Sequence, residues 1–216
     1  MREGALHLPG IAALSETGLR TSFDPALVLR RFEARFRVPD TVTLGVRGTT
    51  LVLSGEAPHA WLARVREGGT AVPGITALDE ANLIDVDLRN FQQTKSVIES
   101  AFIYFLVNKD NFATEGFAAL SRLPEEIRKC ETAAKRLGIA LTVQVLGYAD
   151  GVGQEAKNLD LSQRRAEAVR KFLVTCGLDA ALFSAVAGGP PPPSADGKPT
   201  SEQSDRRVAF RIVSPP

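Results

Sequence analysis

The second half of the chain constrains the fold most strongly, because two different hydrophobic periods follow each other there. Apolar residues alternate over residues 139–145, as in a β-strand with one buried face. A helical pattern then runs from Leu161 to Cys176 and stops before Gly177, a residue typical of helix C-termini. A strand followed by an amphipathic helix predicts a layered architecture in which the helix covers one face of a sheet.

The same patterns place the other elements of this half. A strand is predicted over residues 101–107 and a long amphipathic helix over residues 117–137, ending at Gly138. A weak strand near Ala185 and a closing strand over residues 207–212 complete the order β, α, β, α, β, β. The segment GGPPPPSADGKP between the last two strands is expected to be a surface loop.

The first half carries a second, shorter set of patterns. Asp24 and Pro25 are typical of a helix start, and apolar residues at helical spacing follow them. A hairpin is predicted around Gly48, a short helix after Pro58 and a last strand from Ile75. The order is therefore helix, hairpin, helix, strand.

We therefore predict an α+β protein made of two small α/β sandwich domains. The first covers residues 21–90 with an αββαβ order, and the second covers residues 96–216 with a βαβαββ order. In the second domain, two helices pack on one face of a mixed sheet. A polar segment over residues 85–95 is expected to join the two domains.

A short internal repeat precedes the first domain. Residues 8–19, LPGIAALSETGL, and residues 72–83, VPGITALDEANL, are identical at seven of twelve positions. The second copy ends a complete unit, whereas no unit precedes the first copy. We therefore interpret residues 1–20 as the truncated end of a preceding repeat, and the chain as the carboxy-terminal part of a longer protein.

Composition excludes several functions. With 26 basic and 25 acidic residues, the chain lacks the cationic excess of a nucleic acid-binding protein. The longest apolar run, Ser100 to Val107, is shorter than the roughly 20 residues of a membrane-spanning helix. The two histidines, His7 and His59, belong to no recognisable catalytic or metal-binding arrangement, so we expect no enzyme activity, no metal and no cofactor.

Three other side chains have both a structural and a functional interpretation. Cys130 and Cys176 lie on apolar stripes, and we favour packed free thiols over a disulfide that joins the two helices. Trp61 is expected in the core of the first domain, the alternative being a surface residue that binds a partner or a lipid head group.

One arginine falls where an apolar residue is expected. At about 100° per residue, Arg165 lies on the apolar stripe of the helix over residues 161–176. A buried guanidinium needs an anion or several acceptors, and Asp150, just after the preceding strand, is the nearest candidate. Asn158, predicted in the intervening loop, adds an amide. These residues form either the two charged walls of one pocket or a structural ion pair.

Three motifs in the second half resemble a known family. They are GYAD at residues 147–150, NLDLSQRRAEAV at residues 158–169 and DRRVAFRI at residues 205–212. These motifs and their spacing resemble the OmpA-like carboxy-terminal domain over about residues 98–213. The resemblance implies non-covalent binding of peptidoglycan through the diaminopimelate residue of its stem peptide.

The resemblance also assigns roles to individual residues. It implies that Asp150 meets the ammonium of diaminopimelate, that Arg165 holds its carboxylate and that Asn158 makes a polar contact. Asn108 matches the polar end of the family's first-strand motif, and Arg206 matches the first arginine of its last motif. Arg207, by contrast, is interpreted as a charge on an edge strand that discourages aggregation. The sequence departs from the family pattern at Leu106, Tyr148, Ala149, Val152 and Asp205, so we expect binding of altered strength or selectivity.

The first domain resembles the BON module. The resemblance rests on VTLGVRGTTLVLSGEAP at residues 42–58, a following helix and VPGI at residues 72–75. Together the two resemblances imply a periplasmic part of a larger, membrane-associated envelope protein, tethered to the cell wall. Other envelope proteins or lipid are possible partners of the BON-like unit. The alternative is an OmpA-like fold that has lost wall binding and serves as an assembly platform for other proteins.

Overall fold

The chain divides into two compact units, Met1–Arg89 and Asn90–Pro216. The structure is a computed structural model and describes residues 11–14, 21–106, 109–149, 154–189 and 206–214. Over these ranges, no helix has both the length and the apolar character needed to cross a bilayer. The domain limits predicted from the sequence stay a prediction.

The first unit contains a short hairpin, a three-stranded sheet and two helices. The hairpin pairs two antiparallel strands, β1 (Ile11–Leu14) and β2 (Thr21–Phe23). The elements that follow are α1 (Pro25–Phe36), β3 (Val42–Arg47), β4 (Thr50–Ala57), α2 (His59–Gly68) and β5 (Ala77–Asp85). β4 lies at the centre of the sheet, antiparallel to β3 and parallel to β5.

Local sequence signals explain the starts and turns of these elements. Asp24 caps α1 through a 2.9 Å hydrogen bond from the Ala26 amide to its carboxylate. Gly48 adopts a φ of 63° in the β3–β4 turn, a conformation that glycine adopts without steric cost. Trp61 lies in the core at 3% exposure, and its Nε1 donates to the Phe36 carbonyl at 2.8 Å. The predicted core position of Trp61 is confirmed.

Two aspartates accept hydrogen bonds from backbone amides at the starts of α2 and of the next helix, α3 (Val86–Glu99). Asp87 accepts from the His59 amide at 3.0 Å, and Asp85 accepts from the Asp87 and Leu88 amides at 3.1 and 3.0 Å. Asp85 Oδ2 also lies 2.7 Å from His59 Nδ1. Burial acts to raise the pKa of Asp85, but the hydrogen bonds from Leu88, His59 and Asp87 outweigh it, so the pKa is lowered.

Asp85 should make the stability of the first unit depend on pH. Its pKa is lower in the folded chain than in the unfolded chain. The stabilisation by Asp85 is therefore complete well above the unfolded pKa of about 3.9, and it is lost as the pH falls through the pKa of the folded state. The difference in unfolding free energy between the parent and Asp85→Asn should therefore shrink as the pH falls from about 5 to about 2.5. The fluorescence of Trp61, the single tryptophan, reports this unfolding.

Asp40→Asn is the matched control, because Asp40 lies in the same unit with an exposed side chain. Its difference from the parent should stay small over the same pH range. An equal pH dependence for both variants would contradict the role assigned to Asp85.

Two sequence predictions for this region are wrong in detail. The last strand begins at Ala77 rather than at Ile75, which is buried before it. The boundary between the two units falls within the predicted joining segment 85–95, but residues 86–99 form a helix, α3, that the sequence pattern does not predict. Only Phe91 and Ile98 of this helix are buried hydrophobics, and two apolar positions seven residues apart give a weak helical pattern.

The resemblance of the first unit to the BON module stays a prediction. Its elements from α1 to β5 follow in the order helix, hairpin, helix, strand. Of the first repeat copy, the structure describes only residues 11–14, which form β1. The interpretation of residues 1–20 as the end of a preceding repeat therefore also stays a prediction.

The second unit is built on a four-stranded mixed sheet. Its elements after α3 are β6 (Ile103–Tyr104), α4 (Thr114–Leu137), β7 (Thr142–Gly147), α5 (Glu155–Thr175), β8 (Phe183–Ala187) and β9 (Arg207–Val213). The strand order is β6-β9-β7-β8, and only the β7–β8 pair is parallel. The predicted mixed α/β architecture is confirmed.

Alternating residues of the sheet and apolar residues of the helices form one core. Val143, Val145, Val208, Phe210 and Ile212 from β7 and β9 are buried with residues of α4 and α5. Cys130 is buried in this core, Cys176 is half-buried, and both are free thiols, as the sequence favoured. Burial raises the pKa of the Cys130 thiol, which keeps it protonated at neutral pH.

Two predictions for this unit, the positions of Arg207 and Asn158, are wrong. β9 lies between β6 and β7, so the interpretation of Arg207 as a charge on an edge strand is wrong. α5 begins at Glu155, so Asn158 lies in the first turn of the helix rather than in a loop. The exposed first turns of α5 carry no apolar stripe, which is why the hydrophobic pattern begins only at Leu161. Most of the predicted proline-rich loop, residues 190–199, lies outside the described residues.

Side chains occupy hydrogen-bonding groups at both sides of this sheet. β6 pairs with β9 only at Arg207 and Val208. Further along β9, the Ile212 amide donates to Glu99 Oε1 at 2.8 Å, and Lys95 Nζ donates to the Ile212 carbonyl at 3.3 Å. At the other side, Gln163 Nε2 of α5 donates to the Ala185 carbonyl of β8 at 3.2 Å.

Candidate functional site

Arg165 is the largest fully buried side chain of the described residues, with 0% exposure. Its Nη1 donates to the Tyr148 carbonyl at 2.9 Å, its Nε to the Lys109 carbonyl at 3.1 Å and its Nη2 to the Leu106 carbonyl at 3.3 Å. The guanidinium carbon also lies 5.4 Å from the centroid of the Phe105 ring. Backbone acceptors and a cation–π contact thus meet the desolvation cost of this charge.

The carbonyls that bind Arg165 come from two separate chain segments. Leu106 and Lys109 belong to the loop after β6, and Tyr148 directly follows β7. Phe105 and Phe112 form an isolated antiparallel bridge at the base of the loop, and their ring centroids are 5.3 Å apart. Arg165 therefore joins the loop after β6 to the end of β7 from its position on α5.

Gly147 explains how α5 comes close enough for these contacts. A Cβ atom at this position would overlap the Ser162 carbonyl oxygen and lie 3.2 Å from the Ala166 amide nitrogen. The absence of a side chain at the end of β7 therefore lets the α5 backbone pack directly on the strand. This contact brings Arg165, one turn further along α5, to the carbonyl of the next residue, Tyr148.

Tyr148 links the site to β9. Its amide donates to the Arg207 carbonyl at 2.8 Å, which extends the β7–β9 pairing by one residue. The guanidinium carbon of Arg207 lies 5.8 Å from the Tyr148 ring centroid and 4.9 Å from that of Phe102. Arg206 is half-buried, and its carbonyl accepts from the Phe105 amide at 3.0 Å. The start of β9 thus contacts both segments that bind Arg165.

The predicted site residues are placed to different extents. Arg165 and Arg206 contact the chain around Phe105, whereas Asn158 is half-buried in the first turn of α5, where its carbonyl accepts from Ser162 Oγ at 2.7 Å. Asp150 and Asn108 lie outside the described residues. In the sequence, Asn108 directly precedes Lys109 and Asp150 follows two residues after Tyr148, and the carbonyls of both Lys109 and Tyr148 accept from Arg165.

Three contributors to this arrangement are not evident from the sequence. There, Gly147 is only one letter of a motif, Arg207 is interpreted as a charge on an edge strand, and Phe105 is one residue of a predicted strand. Each acts through its position beside another chain segment, which no local pattern reveals. In the described part of the chain, no group of three or more His, Cys, Asp or Glu residues is arranged to hold a metal ion.

Comparison with known proteins finds a family match in the second unit. The model of the OmpA family matches residues 104–207, from β6 to the first residue of β9. This match, together with the relatives described next, supports an OmpA-like domain in the second unit.

Two curated relatives are outer membrane proteins A. The protein of Yersinia pseudotuberculosis serotype I is 33% identical over 152 residues, which cover 70% of this chain and 38% of that protein. The protein of Escherichia coli O157:H7 is 27% identical over 183 residues, which cover 84% of this chain and 48% of that protein. The chain thus spans less than half the length of these two relatives.

One solved structure with similarity to the chain is the peptidoglycan-associated lipoprotein from Burkholderia pseudomallei. It is 24% identical, with a TM-score of 0.44, and the match covers 54% of this chain and 93% of that one.

Proposed function

We propose that the second unit binds peptidoglycan non-covalently and tethers a larger cell-envelope protein to the cell wall. The observation that carries this proposal is Arg165, a fully buried arginine whose guanidinium three backbone carbonyls hold at the ends of β6 and β7. The match to the OmpA family model and the three sequence motifs around this arginine support the same function. The role is binding rather than catalysis.

The proposed ligand is the diaminopimelate residue of the stem peptide. Its free end carries an ammonium and a carboxylate on one carbon, so an acid and a base at fixed separation complement both charges. Asp150 is proposed to bind the ammonium and Arg165 the carboxylate, with Asn158, Asn108 and Arg206 as further polar contacts. The backbone contacts fix the guanidinium before the ligand arrives, which reduces the entropy lost on binding.

The enclosure of Arg165 defines how a carboxylate reaches it. Because the side chain has no exposed surface, the ligand has to replace one of its present contacts. Of the three carbonyl bonds, the one to Leu106 is the longest at 3.3 Å and is expected to be replaced at the lowest cost. Association is therefore expected to be slower than for a preformed open site.

Binding is tested by titrating the full chain with muropeptides by calorimetry. A diaminopimelate-containing muropeptide should bind saturably, and Asp150→Ala should weaken it by more than about 30-fold, the effect of removing one partner of a buried charged contact. A lysine-containing muropeptide, which keeps the ammonium but lacks the carboxylate, should bind more weakly to the parent. This ligand isolates the contribution of the carboxylate.

The matched control is Asp110→Ala, an exposed acid in the loop after β6. It should bind both muropeptides as the parent does. Equal affinity of the parent for the two muropeptides would contradict the diaminopimelate assignment, and no binding of either by the parent would contradict wall binding.

The same arginine supports an alternative function. A guanidinium enclosed by backbone carbonyls ties α5 to the ends of β6 and β7, and this structural role needs no ligand. In that case the OmpA-like fold serves as an interaction or assembly platform for other proteins. Absence of muropeptide binding by a folded parent chain would favour this alternative.

We also propose that the first unit is a BON-like domain and that the chain acts in the periplasm or cell envelope. The order helix, hairpin, helix, strand from α1 to β5 supports the first proposal. The OmpA-like domain supports the second. Envelope proteins or lipid are the partners expected for the BON-like unit.

A further inference from the structure

A stack of aromatic and cationic side chains includes Tyr148, whose carbonyl binds Arg165. The Arg207 guanidinium carbon lies 4.9 Å from the Phe102 ring centroid and 5.8 Å from the Tyr148 ring centroid. The three residues come from the segment before β6, the start of β9 and the segment after β7. The stack therefore joins three chain segments at one end of the sheet.

The Tyr148 ring has little freedom to move in this stack. It is 8% exposed and packs against Gly188, where an added Cβ would lie only 2.5 Å from the ring carbon Cε1. The Gly188 amide in turn donates to the Gly147 carbonyl at 2.7 Å. The ring is thus enclosed between Arg207 and the backbone that follows β8.

The Tyr148 backbone transmits this fixed position to the proposed site. Its amide is held by the Arg207 carbonyl at 2.8 Å, and its carbonyl accepts from Arg165 Nη1 at 2.9 Å, the shortest of the three carbonyl bonds to Arg165. A hydrogen bond between a guanidinium and a carbonyl depends on both distance and angle. A displaced Tyr148 carbonyl would therefore displace the guanidinium.

We propose that the stack of Phe102, Arg207 and Tyr148 positions Arg165 and thereby sets the affinity for the peptidoglycan stem peptide. Arg207 and Phe102 act through Tyr148 and do not contact the ligand, so they are positioning residues. This inference rests on the proposed function. It assigns to Arg207 a role different from that of Arg206, its neighbour in the same motif.

The test combines ligand affinity with an NMR signal of Arg165 itself. In Arg207→Met, the affinity for the diaminopimelate muropeptide should fall about fivefold, the effect of losing one partly buried cation–π stack. Solvent exchange of the Arg165 Nε–H, assigned by its loss in Arg165→Lys, should accelerate by a similar factor of about five before any ligand is added. If Arg207→Met does not fold, Phe102→Leu replaces it in the test, because the Phe102 ring is 37% exposed. This variant should also lower the affinity and accelerate the exchange of the Arg165 Nε–H.

Arg211→Met is the matched control, because Arg211 is an exposed arginine of β9. It stands four residues after Arg207, so both side chains lie on the same face of the strand. It should change neither readout. Weaker binding by Arg207→Met with an unchanged Arg165 signal would indicate that Arg207 contacts the ligand directly, and would overturn the positioning role. No change in either readout would also overturn it. If the parent binds no muropeptide, the proposed function fails, while the Arg165 signal still decides whether the stack positions the guanidinium.

Discussion

Arg165→Met is expected to lower the free energy of unfolding of the second unit by about 3 kcal/mol and to abolish muropeptide binding. Methionine fills much of the same volume but leaves the carbonyls of Leu106, Lys109 and Tyr148 without the donors that they have in the parent. A buried acceptor that loses its partner costs about 1–3 kcal/mol. The loop after β6 would therefore separate from the end of β7.

The two units can be followed by different chromophores in this experiment. Both tyrosines, Tyr104 and Tyr148, lie in the second unit and Trp61 lies in the first. Tryptophan fluorescence therefore reports the first unit, and a near-ultraviolet circular dichroism transition that the fluorescence does not show reports the second. Arg164→Met is the matched control, because the adjacent Arg164 is exposed and forms a surface ion pair with Asp160. Equal loss of stability in the two variants would contradict the role given to Arg165.

Among the described glycines of the second unit, Gly147 should be the one at which a change to alanine is most damaging. The new Cβ would overlap the Ser162 carbonyl. Because both partners of this contact are fixed to the backbone, no side-chain rotation can relieve the overlap. We expect α5 to move away from β7, with a loss of about 3 kcal/mol in unfolding free energy. The displaced Arg165 should also reduce muropeptide affinity by more than about tenfold.

Chemical unfolding followed by tyrosine circular dichroism measures the stability change, and the calorimetric titration measures the affinity. Gly45→Ala is the control, because this strand glycine of β3 has only Val52 Cβ at an ordinary contact distance of 3.9 Å. It should leave tryptophan-reported stability close to that of the parent. A Gly147→Ala chain as stable as the parent would show that the close α5–β7 packing is not required.

The elements with a clear hydrophobic period could be predicted from the sequence. The patterns of β7, β8 and β9, and the end of α4 at Gly138, identified strands and a helix end that the structure contains. Helix starts are less visible, since the first turn of α5, which contains Asn158, is mostly exposed and carries no stripe of apolar residues. The start of α3 is hidden for a related reason, because its capping residue Asp85 cannot be distinguished in the sequence from a polar loop residue.

The candidate site was predictable only in part. The burial of Arg165 followed from its place on an apolar stripe, because helix geometry is local. Its acceptors could not be read from the sequence, since every residue has a carbonyl and only the tertiary fold selects Leu106, Lys109 and Tyr148. The stack around Arg207 has the same origin, because Phe102 and Tyr148 are 46 residues apart in the chain.

The side chains at the borders of the second sheet are expected to limit strand-to-strand association of this unit. Glu99 and Lys95 engage the Ile212 backbone on one side, and Gln163 engages the Ala185 carbonyl on the other. An unoccupied strand border recruits further strands and so begins fibre growth. A fragment that begins after Glu99 would lack the two charged residues that hydrogen-bond to the Ile212 backbone. Other copies of the fragment could then pair with this exposed backbone. Contacts of this kind are therefore expected to disfavour strand-to-strand association of this unit as long as α3 stays attached.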